Sequence, residues 1–402
     1  MTRVMAADIA VPVDDAVALP VPLPVGLARG VVGTFSGWLD APTPYQIASD
    51  TDSWSAAIWP VAQRLISIHG LAPHLVASGA VSGSGVPAAV PEDVAGWLIE
   101  QSALNAARLE RIHGEMAALL AAAGRAGVAV MPLKGAHLTT LLGYRRPMSD
   151  IDILVRPADR EAASSVLSGL GYGRIDQANP RPTHDVFLQP GSRVVSIDEH
   201  PDNPRRIELH TEVVRHLWGW FETDELTQTL WARATSQTVL GEQAFVAHDD
   251  DLLLHLAVHA SSDLLEGRGR LVQWIDIARL ARTGSRVSRP AHERVAYLAL
   301  ALAERTSPGS IPADDLAALE SRVPRGLARS VNSAPLDDRS GLFLDYVRSS
   351  PSSMSERWQR WRPSRRRLWA AYGDAPLPVG LLRHARRLLH VATHRGRRST
   401  SS

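Results

Sequence analysis

Cysteine is absent from the 402-residue sequence, and lysine occurs once, at position 134, among 43 lysine and arginine residues. Without cysteine the chain has no disulfide bond, no catalytic thiolate and no cysteine-ligated zinc. A metal ion would therefore depend on oxygen or imidazole ligands. The scarcity of lysine is typical of GC-rich coding, which weakens any argument from the number of arginines.

Long apolar runs and a large net charge are also absent. The formal net charge is +1, which provides no general attraction to nucleic acid or membrane surfaces. Asp14 and Asp15 precede the apolar stretch near the N-terminus, and three prolines interrupt it, so it does not resemble a secretory signal. No segment has the roughly 18 to 20 uninterrupted apolar residues of a membrane helix. We expect a cytoplasmic protein without a membrane partner.

The composition is that of a soluble globular protein, with 45% hydrophobic and 21% charged residues. The length allows two or three domains. Changes in composition and periodicity predict five regions. These are a flexible leader (1–50), an N-terminal helical region (51–127), an α/β core (128–220), a C-terminal helical domain (221–355) and an arginine-rich tail (356–402).

The hydrophobic period changes near residue 128. Residues 54–76 and 91–124 have helical spacing, whereas the segments "VAVMP" and "IDILV" are typical of short strands, with a helix between them. Further strands are predicted in "HDVFL", "RVVSI" and "RRIELH", and after Trp220 the pattern is helical again. Alternating short strands and helices over about 85 residues indicate one compact α/β domain.

Three acidic residues are candidates for a metal site. Asp150 and Asp152 are separated by one residue on a predicted strand, so their side chains lie on the same face. Glu208 lies on a second alternating strand, together with His210 on the same face. Adjacent like charges repel, and a cation between them offsets that repulsion. A solvated Asp-x-Asp at a strand edge is the alternative, and His210 could be near the metal or bonded to backbone.

Lys134 and Gly135 are candidates for phosphate binding. Gly135 lies at a predicted strand-to-helix turn, where the backbone can approach a phosphate closely and the helix N-terminus favours an anion. The Lys134 ammonium is a compact positive charge beside it. Arg146, four residues before Asp150, is a second candidate phosphate ligand, or else a loop arginine paired with an acid.

The ordered motifs "LKGAHLTTLLGYRRPMSDIDILV", "IELH", "DDLLLHLAVHA" and "VQWIDIARL" carry a family resemblance. Over roughly residues 71–300, the chain resembles the DNA polymerase β-like nucleotidyltransferase superfamily. Within it, the chain is similar to an uncharacterised bacterial family with Lys-Gly in place of the usual Gly-Ser.

The resemblance implies an α+β fold: a small mixed-sheet polymerase β-like core with helical N-terminal and C-terminal regions. It implies Asp150, Asp152 and Glu208 as catalytic residues that bind two Mg²⁺ or Mn²⁺ ions. A nucleotide would pass from a nucleoside triphosphate to an unidentified small-molecule, glycan or peptide acceptor, with release of pyrophosphate. The ammonium of Lys134 would then replace the contact of the usual serine.

Two other functions remain open. His255 and His259 have the spacing of a zinc-binding pair and could form a hydrolase site with His210 or Asp251. The catalytic glutamate of H-E-x-x-H is missing, and we expect His259 to face the α/β core as an accessory residue. The second alternative is a non-catalytic nucleotide-binding relative.

Two further features have a structural explanation and a functional one. Trp274 and Asp276 are expected to provide interdomain packing with a polar anchor, and Asp276 could also touch the substrate. Twelve arginines and three tryptophans after residue 355 could bind nucleic acid, although an amphipathic helical tail is the favoured interpretation.

Overall fold

A computed structural model describes most of the chain. The described residues are 3–6, 9–12, 31–32, 34–40, 44–79, 90–175, 184–196, 199–213, 223–265, 269–287, 293–333, 368–369 and 372–386. None of the helices in these ranges is long and apolar enough to cross a membrane.

In the described residues, twelve α-helices have defined bounds, and residues 377–386 are also helical. The twelve are α1 (Pro44–Thr51), α2 (Trp59–His69), α3 (Ala72–Ala77), α4 (Glu92–Arg125), α5 (Lys134–Leu142), α6 (Arg160–Gly169), α7 (Thr223–Arg233), α8 (Asp249–Leu265), α9 (Leu271–Arg282), α10 (Glu293–Thr306), α11 (Ala313–Glu320) and α12 (Arg325–Asn332).

The strands form a central sheet and two hairpins. They are β1 (Arg3–Ala6), β2 (Ile9–Pro12), β3 (Met131–Pro132), β4 (Asp150–Leu154), β5 (Gly173–Arg174), β6 (His184–Leu188), β7 (Arg206–His210), β8 (Thr235–Val239) and β9 (Glu242–Val246). The central sheet has the order β3-β4-β7-β6-β5, while β1 pairs with β2 and β8 pairs with β9.

The central sheet is mixed. Strands β4 and β7 are parallel, and the pairs β3–β4, β6–β7 and β5–β6 are antiparallel. The fold is thus a mixed α/β arrangement, as predicted, with helical segments on both sides of the core in sequence. Because the only parallel pair in this sheet is β4–β7, its register decides which side chains meet on the sheet face.

One face of the sheet is apolar and is covered by α4. Ile151, Ile153 and Ile207 are fully buried in a cluster that includes Ile112 and Met116 of α4. The start of α4 has Glu92 and Asp93 in its first turn, where negative charge stabilises the exposed amide ends of a helix. From Leu109 to Ala123, side chains three and four residues apart form an apolar stripe on the sheet.

The N-terminal and C-terminal helical regions pack against each other and do not lie at separate ends of the molecule. Helices α2, α8, α9 and α10 share one large buried cluster, to which Met131, Leu133 and Leu154 of the core also contribute. Helix α2 ends at Gly70, whose φ of 69° is left-handed. A Cβ there would lie 3.4 Å from Pro147 and from Arg270, so glycine permits both the turn and the close contact.

Several boundaries differ from the sequence predictions. The leader was predicted to be flexible as far as residue 50, but Phe35, Trp38 and Ile47 are buried in the helical core. The spacing of these large apolar side chains along the chain, and their size, favour burial in the core over exposure to solvent. Strand β3 is shorter than "VAVMP", and residues 193–196 of "RVVSI" contain only an isolated bridge.

The region after residue 220 is not entirely helical, because β8 and β9 form a hairpin that packs on the core. The Phe245 amide donates to the Val130 carbonyl at 3.0 Å. Leu240 and Gly241 both have positive φ, which is the backbone shape of a tight hairpin turn. Leucine is unusual in this left-handed conformation, so the segment carries no recognisable turn motif. Most of the arginine-rich tail lies outside the described residues.

Candidate active site

The parallel register of β4 and β7 aligns the predicted acidic residues. Asp150 pairs with Arg206, Asp152 with Glu208, and Leu154 with His210. Alternate residues on a strand point to the same face, so these side chains lie opposite the apolar layer under α4.

Asp152 is the central carboxylate of the site. It is buried, and its Oδ1 accepts a hydrogen bond from Lys134 Nζ at 2.7 Å and is 3.0 Å from His210 Nε2. Burial acts to raise the pKa of Asp152, but the ammonium of Lys134 and the His210 imidazole hold it well below its usual range. Asp152 is therefore ionised at neutral pH.

Glu208 and His210 extend this cluster across β7. His210 Nε2 is 3.5 Å from Glu208 Oε2, and His184 Nε2 of β6 is 4.0 Å from the same oxygen. Burial alone would raise the pKa of Glu208, whereas the hydrogen bond from His210 lowers it to about 2. Burial opposes protonation of His210, but Asp152 and Glu208 together raise its pKa.

Asp152, Glu208 and His210 form a group that could hold a metal ion. One ligand atom from each residue lies within 4.8 Å of the others. Two carboxylates and an imidazole are suitable donors for a divalent cation. From the sequence, Asp150 is predicted to belong to this set, and His210 to lie near the metal or to bond to backbone.

Asp150 lies at the start of β4, and its side chain is 30% exposed. Its Oδ2 is 3.8 Å from Arg206 Nη2. Burial, followed by the negative charges of Asp152 and Glu208, raises the pKa of Asp150. Asp150 therefore shares the electrostatic field of the cluster, although it is outside the three-ligand group.

Lys134 is the first residue of α5 and projects into the cluster. Its side chain is 15% exposed, and although burial acts to lower its pKa, Asp152 and the other carboxylates raise it. Its φ of 46° is left-handed, which is uncommon for a residue other than glycine. The neighbouring Gly135 was predicted as the turn residue, but the left-handed position belongs to Lys134.

Gly135 also has a packing role. A Cβ at this position would lie 2.9 Å from both Arg146 Nη1 and Met148 Cγ. Its small size therefore lets α5 approach the loop that precedes β4.

Arg146 is engaged by an acid of the helical region. Its Nε donates to Asp276 Oδ2 of α9 at 2.7 Å, and both side chains are largely buried. Burial, with a contribution from Arg270, lowers the pKa of Arg146 to about 10. This pair agrees with the polar interdomain anchor expected for Asp276. A contact from Arg146 to a phosphate would require the ion pair to open.

A narrow cleft separates the acidic sheet face from α8. Its lining includes Lys134, His184, His210, Glu212, His255 and His259. His259 therefore borders the α/β core, and its Nδ1 is 3.4 Å from Asp263 Oδ2. In the described ranges, neither His255 nor His259 belongs to a three-residue group with metal-ligand spacing.

Arg108 of α4 holds the two loops that lead into the site, although no sequence motif predicts this role. Its guanidinium donates to the carbonyls of Met148 at 2.8 Å, His200 at 2.9 Å, Asn203 at 2.9 Å and Pro204 at 3.0 Å. The first loop precedes β4 and the others precede β7. The only indication in the sequence is that an arginine occurs at a position whose helical spacing places it on the buried side of α4.

Comparisons with known proteins identify the family. The crystal structure of an antigenic nucleotidyltransferase-like protein from Paracoccidioides brasiliensis is 14% identical. The match covers 54% of this chain and 93% of that one, with a TM-score of 0.33. No curated protein matches significantly. Residues 55–306, well over half of the sequence, match the family described as "Uncharacterised nucleotidyltransferase". The chain therefore belongs to this nucleotidyltransferase family.

Proposed function

We propose that the protein is a metal-dependent nucleotidyltransferase. It moves a nucleoside monophosphate from a nucleoside triphosphate to a hydroxyl or phosphate of a small molecule, glycan or peptide natural product, and releases pyrophosphate. The observation that carries this proposal is the meeting of Asp152, Glu208 and His210, whose ligand atoms lie within 4.8 Å, on a buried sheet face. Membership of the nucleotidyltransferase family supports the reaction class.

The donor set fits the cations proposed here. Carboxylate oxygens suit Mg²⁺ and Mn²⁺, and the imidazole of His210 adds a nitrogen that Mg²⁺ favours less. Asp152 and Glu208, with Asp150 beside them, would hold two such ions. When bound, the ions neutralise phosphate charge and lower the pKa of the attacking hydroxyl.

The reaction proposed for a hydroxyl acceptor is an in-line displacement. The acceptor oxygen forms a bond to the α-phosphorus, and the bond from that phosphorus to pyrophosphate breaks. Pyrophosphate leaves with the bonding electron pair, and the proton of the acceptor passes to water. The protein accelerates this step mainly by holding the reacting groups in line and by compensating charge.

Lys134 supplies a fixed positive charge for this displacement. Its ammonium is 2.7 Å from Asp152 and is held among the site carboxylates. In the proposed complex, Lys134 would exchange this ion pair for a contact with a phosphate oxygen of the nucleotide. An ammonium suits this role because it can redirect its three donors around one flexible stem.

The test is release of pyrophosphate from each of the four nucleoside triphosphates with Mg²⁺ or Mn²⁺. The double variant Asp150→Ala/Asp152→Ala is compared with wild type, with a cell extract as the source of acceptor. Asp202→Asn is a matched control, because its side chain is 55% exposed and lies outside the cluster. We expect turnover with at least one nucleotide that the double variant loses and the control keeps.

The same experiment distinguishes the non-catalytic alternative. Metal-dependent nucleotide binding without turnover would contradict the transferase and favour a binding protein. Absence of both binding and turnover would contradict the assignment of Asp150, Asp152 and Glu208 as a metal site.

A further inference from the structure

Arg108 is a buried cation outside the metal group, and it joins the starts of the two strands that carry the acidic residues. The residue is 3% exposed. Its Nη2 donates to the Ser149 carbonyl at 3.4 Å and to the Pro204 carbonyl at 3.0 Å. Ser149 directly precedes β4, and Pro204 lies two residues before β7. A single nitrogen atom therefore contacts the backbone beside both strands.

The other donors of this guanidinium hold the same two loops. Nε donates to the Met148 carbonyl at 2.8 Å in the first loop, and Nη1 donates to the carbonyls of His200 and Asn203 at 2.9 Å in the second. Glu199 Oε2 lies 3.4 Å from Nε and provides a carboxylate partner for the buried charge. A guanidinium presents five donors in one rigid plane, so it can keep several carbonyls at fixed separations, whereas an ammonium cannot.

The apolar pattern of β4 and β7 does not by itself fix how the two strands align. They are parallel, and β5 and β6 lie between them in the chain, so no tight turn connects them. In the observed register Asp152 pairs with Glu208. A shift by two residues would keep Ile207 on the apolar face, because strand side chains repeat every second residue. The same shift would pair Asp152 with Arg206 or His210 instead, so the metal group requires a further restraint.

We propose that Arg108 is a positioning residue that fixes the register of β4 against β7, and thereby the spacing of Asp152 and Glu208. This rests on the proposed function, because the residue would hold the ligands of its metal site in place before an ion binds. Arg108 acts through the backbone of the two loops. Ligands that are already at coordination spacing lose less conformational freedom on binding, which strengthens the binding of the ion.

The first test measures Mn²⁺ binding to the full-length protein by calorimetry, without nucleotide. Arg108→Lys keeps the positive charge but cannot bridge both loops. Its dissociation constant for Mn²⁺ should rise by at least about tenfold, as is typical when a group that orients metal ligands is lost. A purely structural role would lower the stability of the protein and leave the affinity of the folded protein for Mn²⁺ unchanged.

Two control variants separate positioning from loss of stability. Arg111 lies on the same helix, is 47% exposed and donates to the Pro201 carbonyl, and among the described residues it contacts the second loop alone. Arg111→Lys should keep the dissociation constant within about twofold of wild type, because exposed ion pairs contribute little. Leu327→Ala removes apolar contacts from a fully buried position on α12, outside the sheet. It should lower the stability and leave Mn²⁺ binding unchanged.

Hydrogen exchange tests the proposal in the wild type as well, so a variant that fails to fold does not remove the test. In metal-free wild type, the amides of residues 148–152 and 200–208 should already be protected, and their protection should change little when Mn²⁺ is added. In Arg108→Lys both segments should lose protection together. In Arg111→Lys any loss should be confined to the second segment.

Each contrary outcome has a separate meaning. Equal Mn²⁺ affinity in Arg108→Lys and wild type would overturn the proposal and leave the proposed function standing. Equal losses of affinity in Arg108→Lys and either control would do the same. Protection of the two segments that appears only after Mn²⁺ is added to wild type would show that the ion, and not Arg108, orders the loops. Absence of Mn²⁺ binding by wild type would overturn the metal site of the proposed function, and this proposal with it.

Discussion

Strands β4 and β7 present two opposite faces with opposite chemistry. Ile151, Ile153 and Ile207 are fully buried under α4, whereas Asp152 and Glu208 on the other face are buried beside charged side chains. The apolar face stabilises the fold by removing hydrocarbon from water. The polar face keeps carboxylates close together at a cost in stability, which a cluster of opposite charges offsets. Because side chains alternate along a strand, this one pair of strands places apolar core residues on one face and the candidate site residues on the other.

The largest expected effect comes from breaking the apolar face. Ile153→Ala should lower the free energy of unfolding by about 4 kcal/mol, because it removes methyl groups from a fully buried position and leaves a cavity. Urea denaturation would measure the change. Ile153→Val, which removes one methylene group, should lose only about 1 kcal/mol. Equal losses in the two variants would contradict a tightly packed layer.

The polar face should be sensitive to the loss of one ionic partner. Asp152→Asn leaves the Lys134 ammonium beside a neutral amide, which should lower the free energy of unfolding by about 3 kcal/mol. The double variant Lys134→Met/Asp152→Leu should recover much of this loss, because neither member of this ion pair is left as a buried charge without the other. A double variant that is less stable than Asp152→Asn would indicate that the pair itself stabilises the fold.

A buried imidazole of the helical region, away from both faces of the sheet, should make stability depend on pH. His69 Nδ1 accepts a hydrogen bond from the Leu271 amide at 3.3 Å, and burial lowers the pKa of His69 to about 3. The unfolded chain binds this proton near pH 6.5, so stability should fall as the pH decreases from about 6.5 towards 3.

The measurement for His69 is the free energy of unfolding as a function of pH. The slope from this residue should approach about 1.4 kcal/mol per pH unit within that range. His69→Asn retains an acceptor for the Leu271 amide and should reduce the slope. An unchanged slope would exclude His69 as its origin.

The smallest effect is expected for a surface ion pair of the same length as the one in the site. Arg286 Nη1 lies 2.7 Å from Asp315 Oδ2, but the two side chains are 53% and 37% exposed. Asp315→Asn should change the free energy of unfolding by less than about 0.5 kcal/mol, and less still in high salt. A loss comparable to that of Asp152→Asn would show that distance, not burial, decides the contribution.

The local parts of this architecture were predictable. The alternation in "IDILV" and "RRIELH" identified β4 and β7 and placed Asp150, Asp152 and Glu208 on one face of their strands. The long helix α4 was predicted within two residues of its ends. Both signals depend on periods of two or about four residues, which the sequence displays directly.

Contacts between distant residues were not predictable from those patterns. Arg146 and Asp276 are 130 positions apart, and the alternative of a phosphate ligand could not be distinguished from an ion pair until α9 was in place. The carbonyl groups that Arg108 contacts belong to the backbone, so the residue types at those positions do not indicate the contact. The hairpin β8–β9 was missed because Leu240, rather than glycine, takes a left-handed turn position.

By itself, the sequence determined the chemical inventory: no thiols, a single lysine, and carboxylates at strand spacing. Only the tertiary structure decided that Lys134 meets Asp152, that His210 joins Glu208, and that His255 lines the same cleft from another helix. The physical reason is that alternation fixes the face of a strand, while the register between strands and the packing of helices depend on contacts across the whole chain.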